Sequence, residues 1–246
     1  MRRYYWLIIL GLILLALAGI GYYIHYLIFH DVHHIFIFFL GDLAFLPLEV
    51  LIVVLVIERL LASREQQAML HKLNMVIGAF FSEVGNKLLR DLLPCFAEKQ
   101  KICSAFAIRS DWQHKDFKLA MNCVDDVDSR PDFDCINWVE LKDFMVEKRS
   151  FLLRLLENPN LLEHERFTDL LWATFHLTEE LEARESFDNL PGHDREHLSL
   201  DVQRVYNLLT REWIFYAEHL KNSYPFLYSL VVRTHPFLEH PSAVVQ

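Results

Sequence analysis

The chain has 246 residues, 53% of them hydrophobic, and a formal net charge of −9 at pH 7. Such an acidic balance disfavours nucleic acid as a partner. No phosphate-cradling GxxxxGK[ST], GxSxG, HExxH or dinucleotide fingerprint occurs, so neither an enzymatic activity nor a cofactor is expected.

The first element is an almost unbroken apolar run over 4–29, in which His25 is the one titratable group apart from tyrosines. About 20 apolar residues span a bilayer, so this run is long enough to cross with tilt, and too long for a signal-peptide core. A short polar break, HDVHH over 30–34, leads into a second apolar run that ends at Glu58 and Arg59. Two spans joined so closely form an antiparallel transmembrane hairpin, with spans over 4–29 and 34–61. Arg2 and Arg3 precede the first span, Arg59, Arg64 and Lys72 follow the second, and the connecting turn has no Lys or Arg. The positive-inside rule then puts both termini in the cytoplasm.

Asp42 and Glu49 lie inside the second span, seven residues apart and so on one helical face. A charge at that depth costs about 2.5–3.5 kcal/mol on insertion scales, so such groups face protein or water rather than lipid. Phe38, Phe45, Ile52 and Val56 fall near the same stripe. Several copies around an axis would give an apolar path with two acidic rings, which favour cations. The bland alternative is that Asp42 is solvated near the outer interface and Glu49 bonds a neighbouring helix. Gly41 and Pro47 leave two readings of this span. One is a single kinked helix over 34–61. The other is a half-helix over 35–40, a turn at Gly41-Asp42 and a spanning helix from Leu43, as in tetrameric cation channels. FLGDLAF is not a potassium-filter motif, and the similar lengths of the two spans favour the simple hairpin.

His30, Asp31, His33 and His34 crowd the turn, with His25 before them. Imidazoles at these spacings suit a divalent metal or an external pH sensor. The alternative is a polar interfacial loop that tolerates histidine.

Residues 1–62 carry three Arg against Asp31, Asp42, Glu49 and Glu58, a net of −1 that leaves −8 for the remainder. That remainder is long enough for one core. Glycine is scarce and no strand-like alternation stands out, so the fold class is all-α: a transmembrane hairpin over 1–62, a connecting helix over 63–93 and a cytoplasmic helical bundle over 94–246. The connecting helix holds Gly78 and Gly85, seven apart, where a partner helix of the same or another subunit could approach closely; an oligomer contact is expected there, with packing inside one subunit as the alternative. Further helices are expected over 94–108, 110–127, 137–157, 161–186, 194–222 and 224–232, with a frayed tail after Pro236. Phe167, Leu170, Leu171, Phe175 and Leu177 have the spacing of a bundle core. The Asp-rich loop over 125–134 lacks the glycine and final glutamate of a calcium-binding EF-hand.

Cys95, Cys103, Cys123 and Cys135 have no zinc-module spacing, and a cytoplasmic location predicts free thiols. Glu163, His164, Glu165, His176, Glu179 and Glu180 share one predicted helix, and Glu218 and His219 another. A di-iron bundle needs Glu-x-x-His on two helices, and that pair is missing.

The runs LLTREWIFYAEHLKNSYPFLYSLVVRTHPF (208–237), LLWATFHLTEELEARE (170–185) and GDLAFLPLEVLIVVLVIERLL (41–61) resemble an uncharacterised family of prokaryotic two-span membrane proteins. The resemblance covers most of the chain. It implies an inner-membrane protein with a helical cytoplasmic domain and carries no activity or site residues.

The expectation is therefore a homo-oligomeric membrane protein in which the second span lines a cation pathway and the cytoplasmic domain assembles or gates it. Its partners would be the bilayer, further copies, cations and a cytoplasmic protein. Two alternatives stand beside it: a non-conducting, membrane-anchored interaction or signalling module, and a pore-forming effector that depolarises the membrane.

Overall fold

The computed structural model describes residues 2–125, 130–158, 161 and 164–244. The chain divides into two compact units, Met1–Gln67 and Ala68–Gln246.

The first unit holds α1 (Arg2–Phe29) and the greater part of α2 (Val32–Phe80). Ile8–Phe29 and Val32–Arg64 are long and apolar enough to cross a membrane, and no residue of their most apolar stretches is buried inside the chain. Helix is the natural state for such segments, since in hydrocarbon each backbone group must find its partner within the segment. The break between the helices is shorter than expected. His30 adopts the left-handed conformation (φ 50°), and the Asp31 carboxylate caps α2 by accepting from the His33 N–H at 2.8 Å. His33 and His34 therefore ride on the first turn of α2 rather than in a loop. Gly41 and Pro47 lie inside α2, which makes the second span a single helix with no half-helix and filter.

The second unit begins with the last turns of α2. Leu73, Ile77, Phe80, Phe81, Val84 and Leu88 are all buried, so the stretch expected to connect two parts is, from residue 73 on, core. A π-helical turn, Phe81–Gly85, separates α2 from α3 (Asn86–Leu92). A π turn shifts the helical register by one residue. This allows the consecutive Phe80 and Phe81 both to point inward, Phe80 edge-on to Phe167 at 5.4 Å and Phe81 stacked on Tyr216 at 5.5 Å.

Gly78 and Gly85 are occupied by the same packing. A Cβ on Gly78 would lie 2.9 Å from the Tyr216 hydroxyl, and one on Gly85 would collide with the Phe81 ring. The close approach that their spacing predicts is met inside the chain, by Tyr216 at Gly78 and by Phe81 at Gly85.

The remaining helices are α4 (Lys99–Phe106), α5 (His114–Asp125), α6 (Trp138–Leu156), α7 (Glu165–Glu182), α8 (Gly192–Ser223) and α9 (Pro225–Thr234). Their starts are capped as the sequence allows. Asn137 accepts from Glu140 N–H at the start of α6, and His164 accepts from Phe167 N–H at the start of α7. Helix α8 is the spine, touching α3, α5, α7 and α9, while α6 packs on α7. Its inward stripe, Leu198, Val202, Val205, Leu209 and Trp213, meets the predicted stripe of α7, and Phe167, Leu170, Leu171, Phe175 and Leu177 are all buried. Among the described residues there is no strand, only a single antiparallel bridge between Phe96 and Pro131.

That bridge explains a correction. Asp132 N–H donates to Cys95 O at 2.8 Å, which brings the short 3-10 turns Leu93–Cys95 and Phe133–Cys135 side by side. Cys95 and Cys135 form a disulfide across them, with Cα atoms 5.3 Å apart; Cys103 and Cys123 are free and half-buried. Free thiols are therefore the rule for two cysteines rather than four. Of the Asp-rich loop, 126–129 lie outside the described residues.

The tail is also less frayed than expected. His235 and Phe237 are buried, because Phe237 packs on Trp213 (5.0 Å) and Phe106 (5.3 Å). His235 goes under with it, and neither of its ring nitrogens has a hydrogen-bond partner among the described residues. Burial pushes its pKa down to about 4.

Two outcomes follow. Thiol titration of the unfolded, unreduced chain should count two reactive cysteines, and Cys135→Ser should destabilise the domain by about 2–4 kcal/mol in chemical denaturation. The unfolded chain also binds a proton at His235 more readily than the folded one. The stability tied to a neutral His235 is full above pH 6.5 and lost as pH falls from there to about 4. That loss approaches about 1.4 kcal/mol per pH unit, so His235→Phe should flatten the stability profile in this window.

Candidate functional site

In the hairpin, Asp42, Glu49, Phe38, Phe45, Ile52 and Val56 are all exposed. Neither carboxylate makes a hydrogen bond or ion pair among the described residues. Phe38 differs from the rest of its stripe in turning towards α1, where its ring lies 6.2 Å from His25 and 4.7 Å from His34. The histidines of the turn are only partly brought together. His25 Nε2 and His34 Nδ1 are hydrogen-bonded at 3.1 Å, His30 stacks on Tyr26, and Asp31 is engaged as the cap of α2. His30, Asp31, His33 and His34 thus do not converge on one point.

The acidic and histidine residues of the second unit do converge, in an arrangement that the sequence reading did not assemble. On α7, His176 and Glu180 are four residues apart and share a face. On α8, His197 and Asp201 repeat that spacing. The two helices are packed together, and ligand atoms of His176, Glu180 and His197 all lie within 4.8 Å of one another. Asp201 Oδ2 lies 3.5 Å from His176 Nε2 and 3.4 Å from His197 Nε2. Glu180 lies 4.0 Å from His176 and 3.7 Å from His197.

Each carboxylate has one oxygen held by an arginine. Arg204 donates to Asp201 Oδ1 at 2.8 Å, and Arg184 to Glu180 Oε2 at 2.6 Å. Arg184 also donates to both Asp194 oxygens, at 2.8 and 3.3 Å, and so ties the end of α7 to the first turn of α8. Asp201 Oδ2 is left with no hydrogen bond, although its side chain is 2% exposed. The imidazoles are open to solvent, with His176 44% and His197 50% exposed. Chemically, the cluster offers two nitrogen and two oxygen donors to a cation.

The other residues singled out in the sequence are used elsewhere. His164 caps α7, Glu218 meets His114 Nδ1 at 2.6 Å, and Glu163 lies outside the described residues. A cleft of about 250 Å³ beside the disulfide is lined by Lys87, Asp91, Asn137, Glu140 and Phe144. Its charges are already paired, Lys87 with Asp91 at 2.6 Å and with Glu140 at 3.5 Å, which leaves it less to offer a ligand.

Comparison with known proteins matches residues 2–61 to the N-terminal helical domain, and 69–233 to the C-terminal helical domain, of the uncharacterized protein MJ1433. The MJ1433 protein of Methanocaldococcus jannaschii is 42% identical over 245 residues, covering 100% of this chain and 97% of that protein. The chain belongs to the MJ1433 family. No solved structure matches it. In this family member the two matched regions meet close to the boundary between the two compact units.

The signal that would have found the cluster is a repeated i, i+4 pair, His-x-x-x-Glu on one helix and His-x-x-x-Asp on the next. A Glu-x-x-His pattern does not contain it.

The Arg184 clasp makes a pH prediction. Arg184 hydrogen bonding holds Asp194 and Glu180 below their ordinary values of 3.8 and 4.5. A depressed carboxylate contributes stability above its unfolded value, and that contribution fades as pH falls through the folded one. Arg184→Met should therefore cost about 2 kcal/mol at pH 7 and reduce the acid sensitivity of the domain below pH 4.5, measured by urea unfolding.

Proposed function

We propose that the chain acts as a homo-oligomer in a membrane, with the Asp42–Glu49 face of α2 lining a path for cations. The observation that carries this reading is that both carboxylates sit on an apolar helix with no partner among the described residues of their own chain. Lipid does not solvate them, so neighbouring copies and water are the remaining sources of stabilisation. Two helices cannot enclose a pathway, but copies repeated around an axis turn each carboxylate into a ring. The arginines that flank the spans, and the turn without any, support cytoplasmic termini. The Cys95–Cys135 disulfide argues for an oxidising compartment or an organism that keeps intracellular disulfides.

A second reading is favoured by the packing of Gly78 and Gly85 against Phe81 and Tyr216. It removes the one expected contact between copies outside the hairpin. Under this reading the hairpin is an anchor and the helical domain docks another protein.

Purified protein in nanodiscs should contain four or more copies, and in liposomes Glu49→Gln should change cation selectivity or lower flux. Unchanged flux would remove Glu49 from the mechanism. A persistent monomer or dimer would leave the anchored module as the function.

A further inference from the structure

We propose that His176, Glu180, His197 and Asp201 form a binding site for one divalent transition metal, best suited to zinc, between α7 and α8. The inference goes beyond the membrane pathway and is independent of it.

The spacing of the donors is the first argument. Zinc bound at about 2.0–2.1 Å by imidazole and carboxylate in a tetrahedron has its ligand atoms about 3.3 Å apart. Asp201 Oδ2 lies 3.4 and 3.5 Å from the two histidine Nε2 atoms, close to that edge length. Glu180 lies wider and through different oxygens, Oε2 3.7 Å from His197 Nε2 and Oε1 4.0 Å from His176 Nε2, so its carboxylate has to rotate to complete the set.

The second argument is Asp201 itself. Its side chain is 2% exposed, one oxygen is held by Arg204, and the other has no hydrogen bond while lying between two imidazoles. A carboxylate oxygen withdrawn from water without a partner is costly, and a cation between Asp201 and the rings satisfies it. The arginines supply the outer layer: Arg204 holds Asp201 by Oδ1 and leaves Oδ2 between the imidazoles, and Arg184 holds Glu180 by Oε2, the oxygen nearer His197, leaving Oε1 on the His176 side.

The donor set selects the metal. Two imidazoles disfavour calcium and magnesium, which take oxygen ligands, and suit zinc and its neighbours in the first transition row. The half-exposed rings of His176 and His197 give the ion a way in from solvent. Because each helix contributes one imidazole and one carboxylate, a bound ion cross-links α7 to α8 and stabilises the folded domain by mass action.

The test uses the full chain in detergent, stripped with a chelator and titrated with zinc by calorimetry. One zinc per chain is expected, with a rise in Tm. Cobalt should give the intense visible absorption of a tetrahedral site. The double variant His176→Gln, His197→Gln changes only half-exposed side chains and should retain its metal-free melting temperature. Its zinc affinity should fall at least tenfold. The variant His30→Gln, His33→Gln, His34→Gln should bind as the unaltered chain does. Absence of saturable binding, unchanged affinity in the double variant, or loss of binding in the hairpin variant instead would each overturn the proposal. A weak cobalt spectrum of the octahedral kind, from the unaltered chain, would overturn the four-ligand site without recourse to any variant.

Discussion

Phe80 set edge-on to Phe167, and Phe81 stacked on Tyr216, are the contacts around which the helical domain is assembled. They join the end of α2 to α7 and α8, whose packed faces form the centre of the domain. Aromatic pairs of this kind contribute about 0.5–1.5 kcal/mol beyond their area. Their larger effect is on register. Adjacent residues of an ordinary helix diverge by about 100°, and the π turn that begins at Phe81 shifts the register between α2 and α3 where these two rings go in different directions, to α7 and to α8. The π turn in turn requires a residue without a side chain at Gly85, where the Phe81 ring fills the space a Cβ would take. Packing of α7 on α8 places the four metal-ligand candidates on adjoining faces, so the core and the candidate site depend on the same helix pair.

Long-range order and local pattern were unequally legible in the sequence. The two membrane-competent helices are plain because runs of more than twenty residues this apolar on average, interrupted by charge in the second only at Asp42 and Glu49, allow few other structures in or out of lipid. The stripe of α7 was also readable, since Phe167, Leu170, Leu171, Phe175 and Leu177 repeat at helical spacing and all proved to be core. The disulfide was not, because Cys95 and Cys135 meet only after an antiparallel bridge forms between Phe96 and Pro131. The tail was misread for a similar reason: two prolines suggest an irregular end, but Phe237 has a pocket between Trp213 and Phe106.

The candidate metal residues show a halfway case. His176 and Glu180 are two of six acidic and histidine residues noted on one predicted helix, and they are four apart; His197 and Asp201 form another pair of the same spacing. Neither pair points to a site by itself, because single histidines and acids on helix surfaces are ordinary. What joins them is the antiparallel return of the chain through the loop that Arg184 clasps to Asp194. No local periodicity encodes which face of α8 will meet α7.

The turn between α1 and α2 consists of His30 and Asp31, one in the left-handed conformation and the other capping the helix that follows. So short a link leaves no slack. The two helices of the hairpin are held side by side, and the turn fixes the azimuth of α2 about its own axis relative to α1. Lengthening α2 by one residue between the cap and Asp42 would swing both carboxylates about 100° around the helix while leaving composition and hydrophobicity nearly unchanged. Small changes of chain length near the turn are therefore a route by which homologues could redirect the acidic face without replacing an acid.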